Sequence, residues 1–255
     1  MSKSSICSTS LEVTRSATIP CMADLPAIDP AIPVHDDTDL AEYEQKLASY
    51  TIGGLQPLRA PVELADYDPT WPVHYERVAN RIRSILKDRI VRIAHVGSTS
   101  VPSLAAKPII DIALEVPDSS DEDAYVPEME GAGYLLRIRE ADWFEHRLFK
   151  GPDVNINLHT FSADCAEVDR MLIFRDWLRA NESDRQLYAR TKRELAARDW
   201  KYMQQYADAK TAVVKEIMAH AEATSARDLH TPKAERPGIE SGVRASHHET
   251  IERRR

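Results

Sequence analysis

Two short stretches carry the residues that could do chemistry. In the first, an apolar segment ending at Val96 runs into Gly97-Ser98-Thr99-Ser100, and fourteen residues beyond Gly97 a carboxylate, Asp111, lies inside a second apolar segment. A glycine lets backbone come close to a ligand, and the hydroxyls and amides of Ser98, Thr99 and Ser100 suit phosphate oxygens. In the second, Val154-Asn-Ile-Asn-Leu-His-Thr-Phe161 alternates apolar and polar residues. Residues two apart on a strand share a face. Asp111, Ala113 and Glu115 therefore project together, as do Asn155, Asn157 and His159. If the two strands are neighbours in register, their polar faces combine into a cluster able to hold a divalent metal and orient a nucleophile. The plainer alternative is that both faces meet water, as half-buried strands commonly do.

The elements that must position these residues follow from periodicity. Helices are expected over 39–50 (Leu40, Tyr43 and Leu47 on one stripe), 73–88 (Val78, Ile82, Ile85, Leu86), 126–131, 166–180 and 183–223. Strands are expected over 90–96, 109–116, 134–139, 144–150 and 154–161, with a short strand and turn in 61–72. Strands and helices in this order predict an α/β or α+β domain with a mixed β-sheet flanked by helices, over residues 60–223. A helical extension and linker occupies 39–59. The stretches 1–38 and 224–255 lack periodicity and read as disordered tails; the Ser- and Thr-rich start also bears some likeness to an organelle transit peptide.

Composition narrows the class. A net charge of −8 and pI near 5.6 leave no basic excess for broad binding to nucleic-acid backbone. Three scattered cysteines, Cys7, Cys21 and Cys165, make neither a disulfide framework nor a zinc knuckle and fit a reducing compartment. No apolar run is long enough for a membrane span or secretory signal, so a cytoplasmic protein is expected.

The run Gly97-Ser-Thr-Ser-Val-Pro-Ser-Leu-Ala-Ala-Lys-Pro-Ile-Ile-Asp-Ile112, preceded by His95, closely resembles the GrpB family, a branch of the nucleotidyltransferase superfamily that includes DNA polymerase beta. Tyr67-Asp-Pro-Thr-Trp-Pro72, Arg147-Leu-Phe-Lys150, Leu158-His159, Phe174-Arg-Asp-Trp-Leu-Arg179 and Tyr188-Ala-Arg-Thr-Lys-Arg-Glu-Leu-Ala196 agree with it, so the resemblance covers residues 60–222. It implies a nucleotidyltransferase-like fold and metal-dependent nucleotidyl transfer, or use of ATP to activate a small molecule. Mg²⁺ or Mn²⁺ would be the cofactor and a nucleoside triphosphate, ATP foremost, the substrate. Gly97 and Ser98 would form the phosphate turn, and Asp111 would be the first carboxylate of the superfamily's Asp-x-Asp pair. The second carboxylate falls at Ala113, which cannot bind metal. Glu115 is the nearest substitute, and Asn157 or His159 stands where a third carboxylate is expected. The replacement at Ala113 supports a second reading, a nucleotide-binding module without transfer chemistry. Family domains also occur fused to dephospho-coenzyme A kinase, which adds an accessory role beside a protein partner.

The basic residues have two readings each. Lys107 and Arg147 divide between phosphate binding and surface solvation. Lys150 is three residues from Arg147, so the two cannot share a strand face without a bulge. Lys192 and Arg193 read as a solvated helix face, His95 as a hydrogen-bonded core or rim residue, and the tryptophans as core or pocket wall.

Overall fold

A computed structural model describes residues 37–230, with side chains over 40–224. The expected tails, apart from their innermost residues, lie outside this range. Five strands form one mixed sheet: β1 (Arg92–Val96), β2 (Ile110–Val116), β3 (Leu135–Glu140), β4 (His146–Lys150) and β5 (Ile156–Ser162), in the order β1-β2-β5-β4-β3. Only β2 and β5 run parallel; every other pair is antiparallel. Seven helices accompany it: α1 (Asp37–Tyr50), α2 (Trp71–Leu86), α3 (Val126–Gly131), α4 (Ala166–Ala180), α5 (Glu182–Ala196), α6 (Met203–Asp208) and α7 (Thr211–His230). The mixed sheet with flanking helices is the expected α+β architecture. No described helix is long and apolar enough to cross a membrane.

β2 is central and covered on both faces, which explains its near-continuous apolar run. One face presents Ile110, Ile112 and Leu114 with Ile156, Leu158 and Phe149. It packs on the stripe Trp71, Tyr75, Val78, Ala79, Ile82 and Leu86 of α2, whose three- and four-residue spacing gives a single buried side. Pro72 suits the start of that helix because its missing N–H has no intrahelical partner there. The other face, with Val96, Ala113 and Phe161, meets Cys165 and Val168 at the start of α4. Beyond it α4, α5 and α7 pack together around Leu178, Tyr188, Val213 and Ile217, joined by Val101 and Leu104 from the segment between β1 and β2.

Two expectations change. The stretch 61–72 forms no strand ladder, only an isolated bridge from Ala65 to Ala106. The single helix expected over 183–223 is three, α5, α6 and α7, although the sequence there contains neither Gly nor Pro. Local and tertiary contacts together impose the break. Trp200 donates its indole N–H to Leu195 O at 2.7 Å, Tyr202 and Gln205 form a capping box, and Tyr206 is buried with Val62 and Leu195. Hydrogen bonds from Tyr43 to Asp208 and from Tyr202 to Glu44 fasten α6 to α1.

Candidate active site

β1 delivers the chain to Gly97, which has φ +67° and ψ −173°. Antiparallel pairing sets Val96 opposite Asp111, so the turn lies directly against the carboxylate. A Cβ on Gly97 would stand 2.3 Å from Asp111 Oδ2 and 2.8 Å from its Cβ. Glycine is thus required twice, by its backbone angles and by this close approach. The turn continues as a 3₁₀ segment, Ser98–Ser100. Ser100 Oγ donates to Gly97 O at 2.6 Å, and Thr99 Oγ1 donates to Ile109 O at 3.2 Å while lying 3.1 Å from His95 Nε2. Both hydroxyls are buried. The expected phosphate ligands Thr99 and Ser100 are therefore engaged inside the turn, and Ser98, which donates to the Tyr188 hydroxyl oxygen, is the half-buried member. Arg179 donates twice to Ser100 O and Arg175 to His95 O, fastening the turn to α4. His95 stacks on Tyr75 and is held well below the usual imidazole range, to about 4, chiefly by burial, which fits a core role.

The parallel register places Asp111 beside Asn157, Ala113 beside His159 and Glu115 beside Phe161, so the two polar faces do meet. Asn157 Nδ2 donates to Asp111 Oδ1 at 2.7 Å, and the Asn157 carbonyl accepts from Lys150. His159 Nε2 lies 3.8 Å from Asp111 Oδ1. Burial works to raise the Asp111 carboxyl, but His159 in its protonated form, the Asn157 amide and the Lys107 ammonium outweigh it and hold the group below the ordinary carboxylate range.

Glu115 does not join this cluster. It is 2% exposed and accepts from Arg92 Nε at 2.5 Å, from Arg92 Nη2 at 2.9 Å and from the Cys165 N–H at 3.1 Å. An expected catalytic and metal residue is thereby a structural one, its oxygens occupied by a bidentate guanidinium and a helix-start amide. The expectation of Asn157 as a metal ligand fares no better, because its oxygen faces Lys150 and it offers Asp111 an N–H. Ala113 is fully buried in the apolar cluster of Val96, Phe161 and Val168. Among the described residues no group of three or more His, Cys, Asp or Glu converges. With one carboxylate, an amide N–H and lysines around it, this donor set does not fit a resident Mg²⁺ or Mn²⁺, which is held by several oxygen ligands.

Four lysines lie within electrostatic reach of Asp111 instead. Lys107 lies above the Tyr206 ring at 5.3 Å and Lys210 lies on the same ring at 4.7 Å. Lys192 lies 4.8 Å from the Tyr188 ring centre and donates to Ala105 O. With Lys150, all four are attracted by Asp111, and all four are held below the ordinary ammonium range, first by burial. Repulsion from Lys210 adds to it for Lys107, which falls to about 8, and for Lys192, which falls to about 7. The reading of Lys192 as a solvated face is corrected: it is 2% exposed. Its signal was available, since Tyr188, Lys192 and Leu195 recur at helical spacing on the buried side of α5. Nothing in the local sequence marked Lys210.

Arg147 leaves the site altogether. Its register partner is Thr160, on the sheet face opposite His159, and it is bound to Glu122 at 2.6 Å and to Glu145 O at 2.6 Å. Lys150, three residues on, is on the Asp111 side. Two cavities lie elsewhere: one of about 220 Å³ between Arg81, Tyr134 and Asp153, and one of about 590 Å³ along Leu172, Ile173 and Trp177. Neither is lined by a residue of the Asp111 cluster.

Comparison with known proteins gives the family. The family model described as GrpB protein matches residues 61–220. The chain is 59% identical over 181 residues to UPF0157 protein BH1888 of Halalkalibacterium halodurans, covering 71% of this chain and 93% of that protein. It is 42% identical over 170 residues to UPF0157 protein SCO7215 of Streptomyces coelicolor, covering 67% and 88%. The crystal structure of conserved protein GrpB from Enterococcus faecalis superposes with a TM-score of 0.57 at 31% identity, over 64% of this chain and 99% of that one. With the family model matched over more than half its length, the chain belongs to the GrpB family.

Proposed function

We propose that the Asp111 face binds the phosphate chain of a nucleoside triphosphate and transfers its nucleotidyl group to a small-molecule acceptor. The observation that carries this reading is the gathering of four buried or half-buried lysines within electrostatic reach of Asp111, Lys107 and Lys210 over one Tyr206 ring, Lys192 beside Tyr188 and Lys150 joined to the carboxylate through Asn157, near the Gly97–Ser98 turn. Buried ammonium groups that repel one another are stabilised by a polyanion, and each charge-assisted hydrogen bond to phosphate adds about 1.5–3 kcal/mol. In this site the lysines neutralise phosphate charge where carboxylate-bound metal would otherwise do so. Asp111 and His159 face the reacting end, and positioning with electrostatic stabilisation supplies most of what transfer from a triphosphate requires.

A second reading, nucleotide binding without transfer, is favoured by the burial of Ala113 among apolar side chains. One pair of measurements separates them. Calorimetric titration of ATP into EDTA-treated protein should show binding, weakened roughly 10- to 100-fold by Lys150→Met. Pyrophosphate release in the presence of metabolite pools should occur with the wild type and be lost in Asp111→Ala. Binding without any release supports the module, and no binding in EDTA refutes the lysine site.

A further inference from the structure

Three side chains stand in file behind Asp111. His159 Nδ1 lies 3.1 Å from His146 Nε2, and His146 Nδ1 lies 2.7 Å from Glu140 Oε2. At the other end His159 Nε2 is 3.8 Å from Asp111 Oδ1, beyond hydrogen-bonding distance. Packing fixes the rings. His146, 3% exposed, stacks on Phe161 with centroids 4.8 Å apart, and it meets Trp143 edge-on at 5.2 Å. The β4–β5 ladder sets Leu148 opposite His159, so His146 and His159 project from the same sheet face as Asp111.

The protons in this file can be counted. A neutral imidazole has one N–H and one lone pair, and a carboxylate only accepts. His146 must therefore carry its proton on Nδ1, facing Glu140, and present a lone pair at Nε2. His159 must then carry its own on Nδ1, which leaves the lone pair of its Nε2 directed at the Asp111 site. Burial holds His146 at about 4, so its ring is neutral at physiological pH, and the count describes the site with His159 neutral as well.

We infer that His159 Nε2 is the proton acceptor of this site, fixed in that tautomer by two positioning residues, His146 and Glu140. The inference rests on the transfer reading above for its substrate. A hydroxyl or amine of the acceptor beside Asp111 gives its proton to Nε2 as its oxygen or nitrogen bonds to the α-phosphorus. The phosphoanhydride bond breaks and pyrophosphate leaves with the electron pair. The imidazolium so formed faces the Asp111 carboxylate at 3.8 Å, which stabilises it. A base oriented through its second nitrogen by a further acceptor is the logic by which hydrolytic triads activate a nucleophile.

Nitrogen-15 NMR of the free protein in mildly alkaline buffer tests the tautomer directly. His159 should show a protonated Nδ1 and an unprotonated Nε2. Glu140→Gln, whose amide can donate to His146, should shift both rings toward the opposite tautomer, and Glu140→Asp should restore them. A wild-type His159 protonated at Nε2 overturns the inference whether or not nucleotide binds. So does an Nε2 signal that moves to a metal-bound value when Mg²⁺ is added, because the lone pair is then a ligand. In the transfer assay His159→Asn should slow turnover on the order of 10²–10⁴-fold while ATP affinity stays nearly constant. Absence of ATP binding in calorimetry would sink the nucleotide reading, while the tautomer spectrum still decides this one.

Discussion

Gly97→Ala tests whether turn and carboxylate are built as one unit. At φ +67° and ψ −173° the residue occupies a region that is essentially glycine's alone, and a non-glycine residue held there costs about 1–3 kcal/mol. The new methyl would also lie 2.3 Å from Asp111 Oδ2, 2.8 Å from its Cβ and 2.9 Å from its Cγ. Rotating the carboxylate could relieve the first contact. The Cβ contact is fixed by the backbone of β2, so β1 and β2 must separate, at roughly a further 1–3 kcal/mol by analogy with overpacked cores. The sum, about 2–6 kcal/mol, predicts a fall in Tm of about 4–24 °C for a domain of this size. Denaturant unfolding of Gly97→Ala, Asp111→Ala and the double variant measures it as a cycle. Asp111→Ala removes two of the three close atoms, so the penalty of Gly97→Ala should shrink by about 1 kcal/mol or more in that background. An unchanged penalty, or a single variant within about 0.5 kcal/mol of wild type, would refute the close packing of turn and carboxylate.

Other variants separate site from scaffold. Lys150→Met should weaken ATP binding, whereas Arg147→Met, on the other sheet face, should leave it unchanged in calorimetry and lower stability through loss of the Glu122 contact. Ala113→Asp should destabilise by about 1–3 kcal/mol in urea unfolding rather than confer Mg²⁺-dependent activity, because the new carboxyl enters an apolar cluster. The lysines predict a pH dependence with a definite sign. Folded pKa values of about 7 for Lys192 and about 8 for Lys107 lie below the unfolded value, so the unfolded chain binds more protons between them and the ordinary lysine range. Their cost is full below about pH 7 and fades as pH rises, so Lys192→Met should stabilise the protein at pH 6 and lose that advantage by about pH 10. Nucleotide binding near pH 8 should take up protons, seen as heats that depend on the buffer's ionisation enthalpy.

How much of this was legible depended on the reach of the interactions. Gly97 and Asp111 could be paired from sequence because strand periodicity and a short linker bring them together, and the alternation in 154–161 gave the face that meets β2. The fate of Glu115 needed Arg92, which faces it only through the antiparallel register of β1 and β2. The helix break after Ala196 has no Gly or Pro to mark it and depends on the distant Val62 and α1 as well as on Trp200 and the Tyr202–Gln205 capping box, and that break is what brings Lys210 to Lys107 over one tyrosine ring. A chain of net charge −8 could thus conceal a cationic site, because no segment carrying it is itself basic.

That concealment bears on how the missing carboxylates are understood. Ala113 and the Arg92-bound Glu115 are not vacancies in a metal site. They are parts of a packed sheet face whose polarity ends at Asp111, Asn157 and His159. On the transfer reading, proton acceptance is supported from behind: Glu140 and His146 lie beyond His159 from Asp111 and set which of its nitrogens carries the proton. A site that had simply lost its chemistry would have no need of a buried, neutral histidine held between two aromatic rings to orient another. The proposed site is one in which cation and base are both supplied by side chains, and His159→Asn, which should spare binding and remove turnover, is the variant that distinguishes it from a relic.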